Sequence, residues 1–160
     1  MEKAKAFGPF EVRGELGRGA LGIVFIAFEA EHDRTAAVKL FTSAPKDATA
    51  AIARLRRDAQ AAGALGHPNI AAVLGVGDHE GQPWVATEFI PGVSLAQVLR
   101  SRAPMPIERV LDVWRQLCEG LAHAHREGVL HLDLKPADVR LTPTGEVKVV
   151  DFGSWHLKAL

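Results

Sequence analysis

The chain of 160 residues is long enough for one domain or part of one, and its composition, 48% hydrophobic and 24% charged, is that of an ordinary globular protein. Its 19 basic and 19 acidic side chains balance, so charge gives no case for binding nucleic acid or a membrane surface. The single cysteine, Cys118, excludes an internal disulfide and a cysteine-based zinc site, and its helical surroundings predict a small core residue. Because neither a signal peptide nor a membrane-spanning apolar run is visible, we expect a cytoplasmic protein.

The first half of the chain predicts a small sheet with one inserted helix. Residues 1–9 are expected to form a loose lead-in. Alternating, β-branched and aromatic segments predict strands at 10–16, 23–28, 35–41, 70–76 and 84–89. A helix is predicted over 46–65, starting at Lys46-Asp47, because apolar residues recur there at spacings of three and four: Ile52, Leu55, Ala59, Ala62 and Leu65.

The turn between the first two strands carries three glycines, Gly17, Gly19 and Gly22. A dinucleotide-binding unit needs a helix after such glycines, whereas here a strand follows. A hairpin without Cβ atoms can bring its backbone N–H groups close to a phosphate chain, and the alternative is a flexible hairpin of no function. Lys39 favours the phosphate interpretation, because a lysine inside an apolar strand is costly to bury unless it meets an anion.

The second half of the chain predicts a linker, two helices and an acidic loop. The linker is expected near residues 88–92, followed by a helix at 94–100 with Ser94 as its N-cap and a longer helix at 107–126. The longer helix has an apolar stripe, in which Trp114 is expected to pack in the core: Val110, Trp114, Leu117 and Leu121. The loop at 131–138 holds two acids and a lysine, and Asp151 follows a short strand. Such a cluster suits a polyanion with its metal ions, and a polar surface turn is the alternative.

Four motifs now stand in order: Gly17-x-Gly19-x-x-Gly22-x-Val24, Ala37-Val38-Lys39, His131-x-Asp133-Leu134-Lys135-Pro136-x-Asp138 and Asp151-Phe152-Gly153. Together they resemble the signature of the protein kinase family over about residues 8–155. Lys135 is typical of the serine/threonine members. The resemblance implies an α+β fold with a five-stranded antiparallel N-lobe sheet and a C helix over 10–89. It also implies a hinge with a partial helical C-lobe over 90–160, and ATP bound between the two lobes.

The resemblance implies a nucleotide-binding role for one set of positions. The three glycines would cover the phosphates of ATP, and Lys39 would pair with its α- and β-phosphates. Thr87 would be the gatekeeper, and the backbone of the hinge would hydrogen-bond the adenine. The full set of expected contacts with the nucleotide is Leu16, Gly17, Gly19, Gly22, Val24, Ala37, Lys39, Asp58, Thr87, Glu88 and Ile90.

A second set of positions would carry the chemistry. Asp133 would accept the proton of the attacking hydroxyl, and Lys135 would stabilise the transferring phosphate. Asp138 and Asp151 would hold Mg²⁺. The implied reaction is transfer of the γ-phosphate of ATP to a hydroxyl group of a protein substrate, and it depends on positioning and charge neutralisation.

Three positions depart from the family pattern. Asp58 stands where a glutamate of the C helix would pair with Lys39, and the alternative is that it lies on the solvated face. Leu132 replaces an arginine, which suggests that activity does not depend on a phosphorylated activation loop. Asp138 replaces an asparagine, and the three acids of the site should then need metal to offset their repulsion.

The family continues beyond the Asp151 motif into an activation segment and further helices. We therefore expect the helix at 107–126 to expose apolar surface that a partner or a missing segment would cover. Two functions follow from the resemblance: a serine/threonine protein kinase, or a pseudokinase-like module that binds nucleotide or regulates a partner with little turnover. Leu134-Lys135-Pro136 argues against a third option, a small-molecule phosphotransferase.

Overall fold

The computed structural model describes residues 6–42, 49–101, 103–152 and 154. The predicted helix start at Lys46-Asp47, the last residue of the Asp151-Phe152-Gly153 motif and the segment 155–160 lie outside these ranges. The described chain forms a large antiparallel sheet and a small one, with three α-helices and two short 3-10 helices, Ala30–His32 and Pro136–Asp138. The predicted α+β fold class is confirmed. No helix within the described ranges is long and apolar enough to cross a membrane.

The large sheet has six strands in the order β1-β2-β3-β4-β6-β5, and all neighbours are antiparallel. The strands are β1 (Ala6–Phe7), β2 (Phe10–Gly19), β3 (Gly22–Glu29), β4 (Arg34–Leu40), β5 (Val73–His79) and β6 (Gln82–Glu88). The expected five strands are present, but β1 is additional, so the expectation of a loose lead-in is wrong for residues 6–7. Phe7 is fully buried and packs its ring 5.5 Å from that of Phe25. Ile70 was expected to start β5, yet it bridges to Val149 of the small sheet instead.

Each face of the large sheet has its own apolar cluster, because side chains alternate between faces along a strand. Val38 and Leu40 of β4 lie in one cluster with Phe10 and Trp84. On the other face, helix α1 (Thr49–Gly63) packs against Phe41 and Val85. This helix buries Leu55, Ala59 and Ala62 of the predicted face, and Ala51 is buried while the predicted Ile52 is half-buried.

The small sheet and the remaining helices form the second half of the structure. Helix α2 (Leu95–Ser101) follows β7 (Val93–Ser94), and helix α3 (Ile107–Arg126) precedes β8 (Val139–Leu141) and β9 (Val147–Val149). The strand order is β7-β8-β9. Ser94 accepts a hydrogen bond from the Gln97 backbone N–H at 3.2 Å, which confirms it as the cap of α2. One cluster of buried residues joins this half to the end of α1.

Helix α3 buries only part of the predicted stripe: Leu117 is buried and Leu121 packs against the core, whereas Val110 and Trp114 are exposed. Trp114 is 64% exposed and Cys118 is exposed, so the expectation that both belong to the core is wrong. The buried face consists of Val113, Leu117, Gly120 and Ala124. Gly120 sits against the backbone of Asn69, where an added Cβ would lie 3.0 Å from the Asn69 carbonyl oxygen. Small residues on this side therefore let α3 pack closely against the backbone of Asn69. The apolar surface that was expected on α3 is exposed, as predicted.

Candidate active site

A cleft of about 800 Å³ lies between the large sheet and the small one. The connection between the two sheets, residues 89–92, which we call the linker, contributes to its wall. Most of the predicted site residues line this cleft: Leu16, Gly17, Gly19, Gly22, Val24, Ala37, Lys39, Thr87, Glu88, Ile90, Lys135, Asp138 and Asp151. Asp58 and Asp133 are predicted site residues that lie outside this lining.

The register of the large sheet places several of these side chains in one row. Gly17 is opposite Val24, Val24 is opposite Lys39, and Lys39 is opposite Val85. Directly opposed residues share a face of the sheet, so all of them face the cleft. Ala37 lies two residues before Lys39 on the same face and is paired with Thr87. The glycine turn, Lys39 and Thr87 are therefore brought together by strand pairing.

The three glycines of the turn differ in whether the fold has room for a Cβ atom. An added Cβ on Gly22 would lie 1.9 Å from the Leu40 carbonyl oxygen, so the fold itself requires glycine there. At Gly17 and Gly19, an added Cβ would meet no described atom within 4 Å. Both line the cleft, and their missing side chains leave the backbone open to it. This arrangement supports a ligand that comes close to the backbone of the turn.

Lys39 forms an ion pair with Asp151, which joins the large sheet to the segment after β9. Its ammonium nitrogen also lies 5.2 Å from the centre of the Phe41 ring. Asp58 lies on α1, with a carboxylate oxygen 3.6 Å from the Arg57 side chain. The pairing of Asp58 with Lys39 stays a prediction, whereas the pairing of Lys39 with Asp151 is present in the structure.

Lys135 holds the acidic loop together. Its ammonium group donates to Asp133 at 3.2 Å and to Asp138 at 2.9 Å, and its backbone N–H donates to Asp138 at 3.2 Å. Asp133 is thus next to a residue that lines the cleft. Among the described residues, no three His, Cys, Asp or Glu side chains converge as a metal cage. The repulsion expected among the three acids is offset by lysines in this structure: Lys39 at Asp151 and Lys135 at the other two.

Asp138 is the buried acid of the site. Burial raises the pKa of its carboxyl, since desolvation disfavours the charged form, and the charge of Asp151 raises it further. The hydrogen bond from Lys135 acts in the opposite direction. A cation placed beside Asp138 would therefore favour its ionised form.

The backbone next to Asp133 and at Asp151 is in the left-handed conformation, which residues other than glycine rarely adopt. Leu132 has φ of 65° and Asp151 has φ of 69°. Such strain persists where the surrounding structure imposes it. His131 connects the segment around Leu132 to the segment around Asp151. Its Nε2–H donates to the Val150 carbonyl at 2.8 Å, and its ring lies 4.8 Å from that of Phe152. The positions of the acids are thus coupled through His131.

Arg140 was missed as a cleft residue in the sequence analysis, and the side-chain contacts of Glu88 were not foreseen. Arg140 lines the cleft and donates to the carbonyl oxygens of the linker, a position that the alternation of Val139 and Leu141 could have indicated. The Glu88 carboxylate accepts from the Lys148 ammonium at 2.6 Å and from the Ala72 backbone N–H at 2.9 Å. Only the backbone of the hinge had been expected to matter, so the contact of Glu88 with Lys148 in β9 is new.

Comparison with known proteins places this cleft in context. A family model described as a protein kinase domain matches residues 10–157. The probable serine/threonine-protein kinase PknB of Lactococcus lactis is 34% identical over 145 residues, which cover 90% of this chain and 23% of that protein. The probable serine/threonine-protein kinase SCO3848 of Streptomyces coelicolor is 36% identical over 156 residues, covering 95% of this chain and 23% of that protein.

Among solved structures, the PknI kinase domain of Mycobacterium tuberculosis is similar, with a TM-score of 0.84 and 29% identity. The match covers 96% of this chain and 63% of that chain. The chain therefore spans less than a quarter of the length of these curated relatives and under two thirds of the similar solved domain.

Proposed function

Because this chain belongs to the protein kinase family and its relatives are serine/threonine-protein kinases, we propose that it binds ATP with Mg²⁺ in the cleft and transfers the γ-phosphate to a hydroxyl group of a protein. The observation that carries the proposal is the convergence on one cleft of the glycine turn, the Lys39–Asp151 pair and the Lys135 loop. These are the groups that a polyphosphate and a hydroxyl nucleophile need at one place.

The large sheet supplies the groups for nucleotide binding. The open backbone at Gly17 and Gly19 supports close approach of the phosphates, and Lys39 supplies a cation on the same face of the sheet. Leu16 and Val24 give the cleft an apolar wall for the base. The backbone of the linker supplies hydrogen-bonding groups beside that wall.

Asp138 and Asp151 are the residues that would hold Mg²⁺. Magnesium is usually bound by one or two carboxylates together with substrate phosphates, and these two carboxylates of the cleft fit this mode. When bound, the ion neutralises negative charge on the phosphates. Its charge would also offset the burial that raises the pKa of Asp138.

Asp133 would accept the proton of the attacking hydroxyl as the phosphate is transferred. Its carboxylate lies 3.2 Å from the ammonium of Lys135, so the proton acceptor and a cation for the moving phosphate stay side by side. The strained backbone at Leu132, next to Asp133, supports a fixed position for this carboxylate. Fixed groups of this kind lower the barrier because they need no reorganisation during the reaction.

The test is transfer of labelled phosphate from ATP to a generic protein substrate or to the chain itself. Asp133→Asn should reduce the signal by about a hundredfold or more, the usual size of a proton-transfer contribution. Asp33→Asn is the matched control, because Asp33 is exposed in a left-handed turn that asparagine also tolerates. Equal transfer by wild type and Asp133→Asn would remove the enzymatic proposal.

A thermal-shift titration with ATP and Mg²⁺ separates the enzyme from the binding module. Stabilisation without phosphate transfer would favour the nucleotide-binding alternative with little turnover. If ATP gives no stabilisation at all, nucleotide binding is excluded for both functions.

A further inference from the structure

Two histidine rings stack where helix α1 is joined to helix α3. His67 lies in the loop that follows α1, and His123 lies in the last turn of α3. Their ring centres are 4.9 Å apart, and the ring planes are inclined by 30°. Both side chains are half-buried. The proposed function gives neither ring a role, yet histidine is the side chain whose charge changes most readily near neutral pH.

Hydrogen bonds fix which nitrogen of each ring carries a proton. Nδ1 of His67 accepts from the Asn69 backbone N–H at 3.1 Å, so this nitrogen is unprotonated. Nε2–H of His123 donates to the Leu65 carbonyl oxygen at 2.7 Å. A second proton on His123 would go to Nδ1 and would leave the bond to Leu65 in place. A second proton on His67 would also go to Nδ1, where it would face the N–H of Asn69 and break that hydrogen bond.

The surroundings of His67 also oppose its protonation. Burial lowers the pKa of His67, and the charges of His123 and Arg126 on α3 lower it further, whereas the charge of Glu119 raises it. Glu119 is already paired with Arg115 at 2.8 Å. The hydrogen-bond partners of the two rings are neutral backbone groups. The stacked pair therefore suits two neutral rings and resists becoming doubly charged.

The loop that carries His67 attaches the end of α1 to the second half of the structure. Leu65 packs in the buried cluster that includes the inner face of α3. Asn69 reaches β9, because its side-chain amide donates to the Val147 carbonyl oxygen at 2.8 Å. Loss of the hydrogen bond between His67 and Asn69 would therefore loosen the segment through which α1 is attached to α3 and β9.

We propose that the stack of His67 on His123 is a pH-sensitive contact, which holds the end of α1 against α3 while His67 is neutral and releases the loop at 64–69 when His67 is protonated. The inference is independent of the proposed function, since it requires no nucleotide. The folded chain binds the proton of His67 less readily than the unfolded chain does, because its pKa is lowered in the folded state. Stability should therefore be complete above about pH 6.5, the ordinary histidine value, and should fall as the pH drops from there towards the lowered pKa.

The first test is urea unfolding of the full chain between about pH 7.5 and pH 5, the range around the ordinary histidine pKa. In the double variant His67→Asn with His123→Gln, an amide oxygen can still accept from the Asn69 N–H and an amide N–H can still donate to Leu65, but neither side chain titrates. As the pH falls, the unfolding constant of wild type should rise by about threefold or more relative to that of the double variant. The Asp138 carboxyl is present in both chains, so its effect cancels in this ratio. His125→Gln, at an exposed histidine of α3, should follow wild type.

The second test uses the wild-type chain alone and needs no variant to fold. In an NMR titration, the His67 ring should take up its proton below about pH 6.5. The hydrogen-exchange protection of the Asn69 N–H should fall over the same range, because its acceptor is lost. The alternative is that the two rings only fill space. An equal pH dependence of wild type and double variant, a His67 ring that titrates at or above that value, or an Asn69 N–H whose protection does not follow the titration would each overturn the proposal.

Discussion

Lys39 of β4 and Asp151, 112 positions later in the sequence, form an ion pair that joins the large sheet to the strained turn after β9. Both side chains line the cleft. Under the proposed function, the pair would place a cation for phosphates and a carboxylate for Mg²⁺ in direct contact. Neither group can be altered without changing the charge that surrounds the other.

Lys39→Met should lower ATP affinity by about tenfold or more and reduce phosphate transfer further, because the phosphates lose their cation. Asp151→Asn should also weaken ATP binding in the presence of Mg²⁺. The double variant should lose less affinity than the sum of the two single changes, since each removes the other's partner. Calorimetric titration of ATP into the three variants measures this coupling. Additive losses would show that the two residues act independently.

The glycine turn offers a comparison within one motif. Gly22→Ala should destabilise the fold by about 1–3 kcal/mol or more, because its Cβ would lie 1.9 Å from the Leu40 carbonyl oxygen. Gly19→Ala should leave the unfolding free energy within about 0.5 kcal/mol of wild type and weaken ATP binding. Urea unfolding and ATP titration distinguish the two effects. Unchanged ATP affinity in a folded Gly19→Ala variant would contradict a role for the open backbone.

Asp138 should give the chain a characteristic dependence on pH. Its pKa is raised in the folded state by burial, so the folded chain holds this proton more tightly than the unfolded chain does. Stability should therefore fall as pH rises from about 4, the ordinary aspartate value, through the raised pKa. Asp138→Asn should remove this part of the fall and become the more stable form towards neutral pH.

Urea unfolding of both forms across this pH range measures the difference, and Asp33→Asn should follow wild type. Parallel curves for wild type and Asp138→Asn would show that the raised pKa has no effect on stability.

The outer face of α3 should behave as surface in this chain. Trp114→Gln should change the unfolding free energy by about 0.5 kcal/mol or less, because the ring is 64% exposed. Val113→Ala, one residue away on the buried face, should cost about 1–3 kcal/mol. Cys118 should react with a thiol reagent in the folded chain at a rate near that of the unfolded chain. Slow labelling of Cys118, or a large loss on Trp114→Gln, would place this face inside an interface.

The five main strands could be predicted from local spacing, and most of the cleft residues from the motifs that resemble the protein kinase family. Lys39 and Ala37 share a face of β4 by simple alternation, and strand pairing then sets Thr87 beside them. Strand β1 could not be predicted, because two residues are too few for a periodic pattern. Its stability depends on Phe7, which packs against residues that are distant in sequence.

The predicted buried face of α3 was partly wrong, for a different reason. Apolar residues lie on several sides of this helix. Trp114 contributes most to the hydrophobicity of any face that includes it, whereas Gly120 and Ala124 contribute little. The buried side is chosen by how closely α3 can approach Asn69, and that depends on side-chain size rather than hydrophobicity. The contacts of Arg140 and Glu88 also join segments whose distance is set only by the finished fold.

Glu88 ends the large sheet and Lys148 lies in the small one, so their 2.6 Å contact crosses from one half of the molecule to the other. Moving the two halves apart at this point would stretch the contact. The attraction between partly exposed charges weakens as dissolved ions screen it, over about 8 Å at physiological ionic strength. We expect added salt to weaken the contact between Glu88 and Lys148, so the cleft should open more readily at high ionic strength than at low ionic strength.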